Sequence, residues 1–135
     1  MANTRLLYEV VDGVGWIRFN KPEILNAIDA REIERLVEVL RESSADPAVR
    51  AVVLSSVGDA FSVGDDLKVA MEEYPRILSG EIHPILDIVE DITENLQEIP
   101  RIIRKSSKVY IAAVRGYAVG AGFEIAMDCD LIVAA

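Results

Sequence analysis

The stretch Val114-Arg115-Gly116-Tyr117-Ala118-Val119-Gly120-Ala121-Gly122-Phe123-Glu124 carries the strongest structural signal in this chain. An apolar β-type run, Val109 to Val114, stops at Arg115-Gly116. Three small residues follow, Gly120, Ala121 and Gly122, and a helical pattern from Ala121 to Met127 begins with Glu124 in its first turn. A strand that passes into a helix through a small-residue turn points unpaired backbone N–H groups at an anionic atom. The missing side-chain bulk lets a ligand lie against backbone. Glu124, next to that turn, is a candidate acid or base.

The same layout occurs once earlier. The short apolar strand Ala51–Ser55, whose composition predicts burial on both faces of a parallel sheet, leads into the Gly- and Asp-rich loop 57–67. Within it, Val63-Gly64-Asp65 is a second small-residue turn, and Asp65 or Asp66 caps a following helix. Two such turns can each supply one N–H to the same oxygen. That is the requirement of an oxyanion hole, in which donors are oriented before charge develops. With Glu124 handling a proton at the adjacent carbon, the constellation suits stabilisation of an enolate or tetrahedral anion. The substrate it implies carries an activated carbonyl.

Around these turns the chain alternates strands and helices. Leu6–Val11 and Trp16–Phe19 read as a hairpin joined by Asp12-Gly13-Val14-Gly15. Asn20-Lys21-Pro22-Glu23 breaks the second strand. Asp29, with Glu32 three residues on, opens a helix with Ile33, Leu36, Val37 and Leu40 on its apolar face. Ser43 to Pro47 ends it. Residues 74–84 carry no decisive pattern, and 85–105 read as a helix that Pro100 kinks or splits. Leu131–Val133 is a last strand. This order predicts an α/β domain with a largely parallel sheet.

Composition narrows the function classes. At 135 residues the chain has material for one domain with a real core. Its net charge of −9 opposes binding to nucleic acid. Charges interrupt every apolar run, so no membrane span is expected. No secretory pattern opens the sequence, and a cytoplasmic protein is the expectation. Cys129, the only cysteine, is flanked by Asp128 and Asp130, a setting for a small buried residue and not a reactive thiol. His83, the only histidine, reads as a loop residue. Asp128 and Asp130 lack metal-ligand spacing, so no metal is expected.

Three motifs together resemble the crotonase (enoyl-CoA hydratase/isomerase) superfamily. They are Asn20-Lys21-Pro22-Glu23-Ile24-Leu25-Asn26-Ala27, Ala60-Phe61-Ser62-Val63-Gly64-Asp65-Asp66-Leu67, and Gly116 to Glu124 with Cys129-Asp130. The resemblance spans nearly the whole chain. It implies a spiral of ββα units that binds an acyl-coenzyme A thioester, with coenzyme A entering as part of the substrate and no separate cofactor. By motif position, Val63 and Ala121 are the two N–H donors to the thioester oxygen, with Gly64 and Gly120 in their turns. Glu124 matches one of two catalytic glutamates of the hydratases. Leu25, Ala27, Ile28, Asp65, Asp66 and Lys68 fall in segments that line the coenzyme A site. Ala121 stands where many members carry Gly, and its N–H is intact.

The resemblance makes residues 1–135 the N-terminal core of a crotonase-like domain, incomplete at the C-terminus. The second glutamate is expected about twenty residues beyond Glu124, outside this sequence. An enoyl-CoA hydratase of fatty acid metabolism, assembled as a trimer or dimer of trimers, is the first expectation. An isomerase of the same family is the nearest alternative, and an inactive fragment or acyl-CoA-binding module is a third.

Overall fold

The computed structural model describes residues 5–81 and 87–135. Strand β1 (Leu6–Val11) turns through Asp12-Gly13, both at positive φ, into β2 (Val14–Phe19). Two positive-φ residues suit the tight hairpin turn whose twist matches the strands. The pairing is antiparallel, with Leu6 opposite Phe19 and Val11 opposite Val14. The second strand therefore begins at Val14, earlier than its apolar pattern suggested, because the turn needs only two residues.

Helix α1 (Ala30–Ala45) starts in a full capping box: the Asp29 carboxylate accepts from the Arg31 and Glu32 N–H groups, and Glu32 accepts from the Asp29 N–H. Its C-terminal end is closed by Lys108, whose ammonium donates to the carbonyls of Ser43 and Asp46. Strand β3 (Ala51–Ser56) follows, then α2 (Leu67–Leu78), α3 (Asp87–Lys105), β4 (Val109–Val114), α4 (Ala121–Asp128) and β5 (Leu131–Ala134). The strands lie in the order β1-β2-β3-β4-β5, and every pairing after the hairpin is parallel. The predicted α/β architecture is the observed one.

Helices α1 and α3 cover one face of the sheet. Ile33, Leu36, Val37 and Leu40 of α1 and Ile99 and Ile103 of α3 meet Ile17, Val52, Leu54, Tyr110 and Ala112 in a single core. The opposite face, with Trp16, Val53 and Ile111, is only half-buried. The expectation of burial on both faces of β3 is thus corrected. Its residues alternate, Val52 and Leu54 inward, because among the described residues no helix packs on the second face.

Two helices run through a proline. Pro75 lies in α2, at the start of the stretch 74–84 whose sequence has no decisive pattern. Pro100 lies in α3, which continues through it. Packing of α3 on α1 supports the turn that lacks an N–H there. The reading of His83 and the first two residues of the expected 85–105 helix fall outside the described residues.

Candidate active site

Motif one is a compact turn organised by Asn26. A 3-10 turn, Pro22–Ile24, ends on Leu25 and Asn26, both left-handed at φ 52° and 55°. The Asn26 side chain is buried and fully engaged. Its Oδ1 accepts from the Lys21 N–H at 2.8 Å, and its Nδ2 donates to the carbonyls of Val57 (3.0 Å) and Ala60 (2.8 Å). An amide is the side chain that can accept from one loop and donate twice to another. Beneath it, Lys21 Nζ sits 2.6 Å from Glu32 Oε2, with both side chains under a tenth exposed. Glu32 Oε2 also takes the Asp29 N–H, so one carboxylate ties the turn to the start of α1.

Motif two is held between the other two. Single parallel bridges join Ile28 to Asp65 and Ser62 to Ala118. Ile28 N–H donates to Gly64 O and Asp66 N–H to Ile28 O, each at 2.8 Å. Ser62 N–H donates to Tyr117 O, and Val119 N–H returns to Ser62 O. The Ser62 hydroxyl, buried, donates to Asn26 O at 2.7 Å and accepts from Gly64 N–H at 3.0 Å. It therefore fixes the turn that carries Val63.

Motif three starts α4. Gly120 is its N-cap at φ 52°, ψ −131°, a conformation open to glycine, and Gly122 and Glu124 N–H groups bond back to Val119 O and Gly120 O. The two small-residue turns touch. A Cβ on Gly64 (φ 84°) would stand 2.7 Å from Val119 O and 3.3 Å from Ala121 N. Glycine at 64 is thus required twice, by conformation and by space. Ala121 N–H, first in α4, has no acceptor among the described residues. Glu124 lies in the first turn of the same helix with an exposed side chain. Val63 N–H is different: it donates to Leu25 O at 3.2 Å.

The candidate residues divide by what they expose. Leu25, Asp65, Lys68, Gly120 and Glu124 are open to solvent, and Val63 and Asp66 are half-buried. Asp66, not Asp65, caps α2, accepting from Lys68 N–H at 3.1 Å. Ala27, Gly64 and Ala121 are buried. The Ile28 side chain is in the core, and its backbone N–H and carbonyl are both used against motif two, so it shapes the site from behind. Asn26 and Ser62 hold the site together without having stood out as candidates. The signal was there: each is polar between apolar neighbours inside a motif.

On α4, burial raises the Asp128 carboxyl above the ordinary range, Arg104 opposes this and Glu124 adds to it. Cys129, packed against the core, is pushed up to about 12, mainly by burial and then by Asp128 and Asp130. Among the described residues no three acidic, His or Cys side chains form a group that could hold a metal ion. Nor is any described helix long and apolar enough to cross a membrane.

The enoyl-CoA hydratase/isomerase family matches residues 9–135, which takes in all three motifs. The chain belongs to this family. A Rhizobium meliloti protein described as a probable enoyl-CoA hydratase is 35% identical over 134 residues, 99% of this chain and 47% of its own length. A solved Pseudomonas aeruginosa structure superposes with a TM-score of 0.85 at 34% identity, covering 100% of this chain and 54% of that one. An enoyl-CoA hydratase/isomerase from Xanthobacter autotrophicus gives 0.77 at 31% identity, covering 98% and 46%. A Legionella pneumophila protein assigned as an enoyl-CoA hydratase/isomerase (crotonase) gives 0.83 at 31% identity, covering 96% and 47%. The fold is thus the crotonase fold, and the chain spans about half the length of these relatives.

Proposed function

We propose that this chain contributes the thioester-binding half of an enoyl-CoA hydratase. The observation that supports the reading is the contact of the Gly64 turn with Gly120 and Ala121 at the start of α4, which has Glu124 in its first turn. The thioester oxygen takes the Ala121 and Val63 N–H groups, and the start of α4 adds its dipole to both. Charge that builds on this oxygen as water adds to the 2,3-double bond is met by these two backbone donors. Glu124 transfers the proton at the adjacent carbon. The backbone of residues 25–28, with Asp65, Asp66 and Lys68 at the mouth, receives the coenzyme A portion. A second carboxylic acid and assembly into a trimer or dimer of trimers belong to the same reading of the whole protein.

The test is hydration of crotonyl-CoA by the full-length protein. Glu124→Gln is expected to lower kcat by about 10²–10⁴-fold with little change in KM. Migration of the double bond in a 3-enoyl thioester without hydration would establish the isomerase alternative. Saturable binding of butyryl-CoA with neither reaction would leave a binding module.

A further inference from the structure

The Leu25 carbonyl oxygen lies 3.2 Å from Val63 N, as its hydrogen-bond acceptor. On the reading above, the ligand's thioester oxygen must come to that same N–H. The two oxygens compete for one donor. Ala121 N–H has no such competitor among the described residues, so the hole is half open and half filled.

The competing residue is built to move more readily than its neighbours. Leu25 is a non-glycine residue at φ 52°, a region that costs L side chains free energy, and the residue is 43% exposed. On either side the backbone is fixed. Asn26 is bound through its side chain to two loops, and Ile28 exchanges two 2.8 Å hydrogen bonds with motif two. The Leu25–Val63 bond is the longest backbone bond in this seam. Rotation of one peptide plane, between Leu25 and Asn26, frees Val63 N–H at the expense of the Asn26 N–H bond to Lys21 O (2.9 Å), and leaves the Asn26 side-chain bonds and the Ile28 bonds in place.

We infer that the Leu25 carbonyl is an internal occupant of the oxyanion hole, and that a coenzyme A thioester completes the hole by displacing it. The inference rests on the acyl-CoA reading. It adds that the segment assigned to coenzyme A also controls the donor: binding at residues 25–28 and release of Val63 N–H are one event. A thioester lacking the nucleotide portion then meets a hole with one donor still engaged.

The hydrogen-bond scalar coupling between Val63 ¹⁵N and Leu25 ¹³C′ tests this in the isotope-labelled full-length protein. The probe is butyryl-CoA, a saturated thioester that cannot be hydrated. The expected result is a coupling in the free protein that disappears as the probe saturates, in step with shifts of the Ile28 and Asp65 amides. S-butyryl-N-acetylcysteamine, which lacks the nucleotide, is expected to leave the coupling in place. Saturating shifts at Ile28 and Asp65 with the coupling retained would overturn the displacement while leaving the acyl-CoA reading intact. A free protein without the coupling would overturn it as well. No saturable shift with butyryl-CoA would overturn the acyl-CoA reading and this inference with it.

Discussion

A Cβ placed on Gly122 would stand 2.5 Å from Ser62 Cβ and 2.8 Å from its hydroxyl oxygen. Gly122 has no unusual backbone angle, so the requirement is space alone. Gly122→Ala is expected to push motifs two and three apart and to cost about 1–3 kcal/mol. The same shift separates the Ala121 and Val63 amides. Urea denaturation gives the stability, and butyryl-CoA titration gives the binding loss. In a double-mutant cycle with Ser62→Gly, which removes the clashing Cβ, the two losses should be less than additive. Strict additivity would mean the contact is not the cause.

Asn26→Ala strips three hydrogen bonds from a buried position. The Val57 and Ala60 carbonyls and the Lys21 N–H lose their partner, and a cost of about 3 kcal/mol is expected. Asn26→Asp, which keeps the acceptor but cannot donate, should cost nearly as much. A loss within error of a surface substitution, measured by urea denaturation, would contradict this account.

Acid should weaken the cap of α1. Burial by itself would raise the Asp29 carboxyl, but the backbone hydrogen bond from Glu32, the Lys21 charge and the Arg5 guanidinium outweigh it and leave it lowered. A lowered folded-state value contributes stability above the unfolded value of about 3.9, and that stability is lost as pH falls through the folded value. Asp29→Asn keeps a good cap without the charge. The wild-type chain should therefore be the more stable at pH 7, and the gap should close as the pH falls below about 4. A gap constant with pH would remove the carboxylate from the explanation.

Cys129 should resist alkylation. With its thiol pushed up to about 12, almost no thiolate exists at neutral pH. Iodoacetamide at pH 8 should label the unfolded chain at least tenfold faster than the folded one. Equal rates would show that the sulfur is neither buried nor depressed in acidity.

Periodicity made most of the fold readable. The apolar stripe marks the buried face of α1, and the β-type runs mark β3 and β4 as strands. The start of helix α2 was readable from its Asp cap, but its second half was not, because Pro75 and the mixed sequence around it deny a local signal. The sheet's half-covered face was not readable either, since short apolar strands look alike whether one or two layers cover them. At the site, Gly64, Gly120 and Glu124 stood out because small residues beside a carboxylate are unusual. Ser62 and Asn26 did not, since their importance comes from partners dozens of residues away. The bond between Leu25 and Val63 involves only backbone atoms, and side-chain identity says little about it.

The two single-residue bridges, Ile28 to Asp65 and Ser62 to Ala118, fasten turns that are far apart along the chain. Each is a single pair, too small to offset a long loop alone, and forms at small entropic cost only once the parallel strands beside it have closed loops of similar length. The site is therefore expected to form late in folding, after the hairpin and α1 have already zipped up locally. A newly made chain would pass through a stage with its sheet largely built and its two amides still apart. Ligand would act on that last step, speeding nothing before it and holding everything after it.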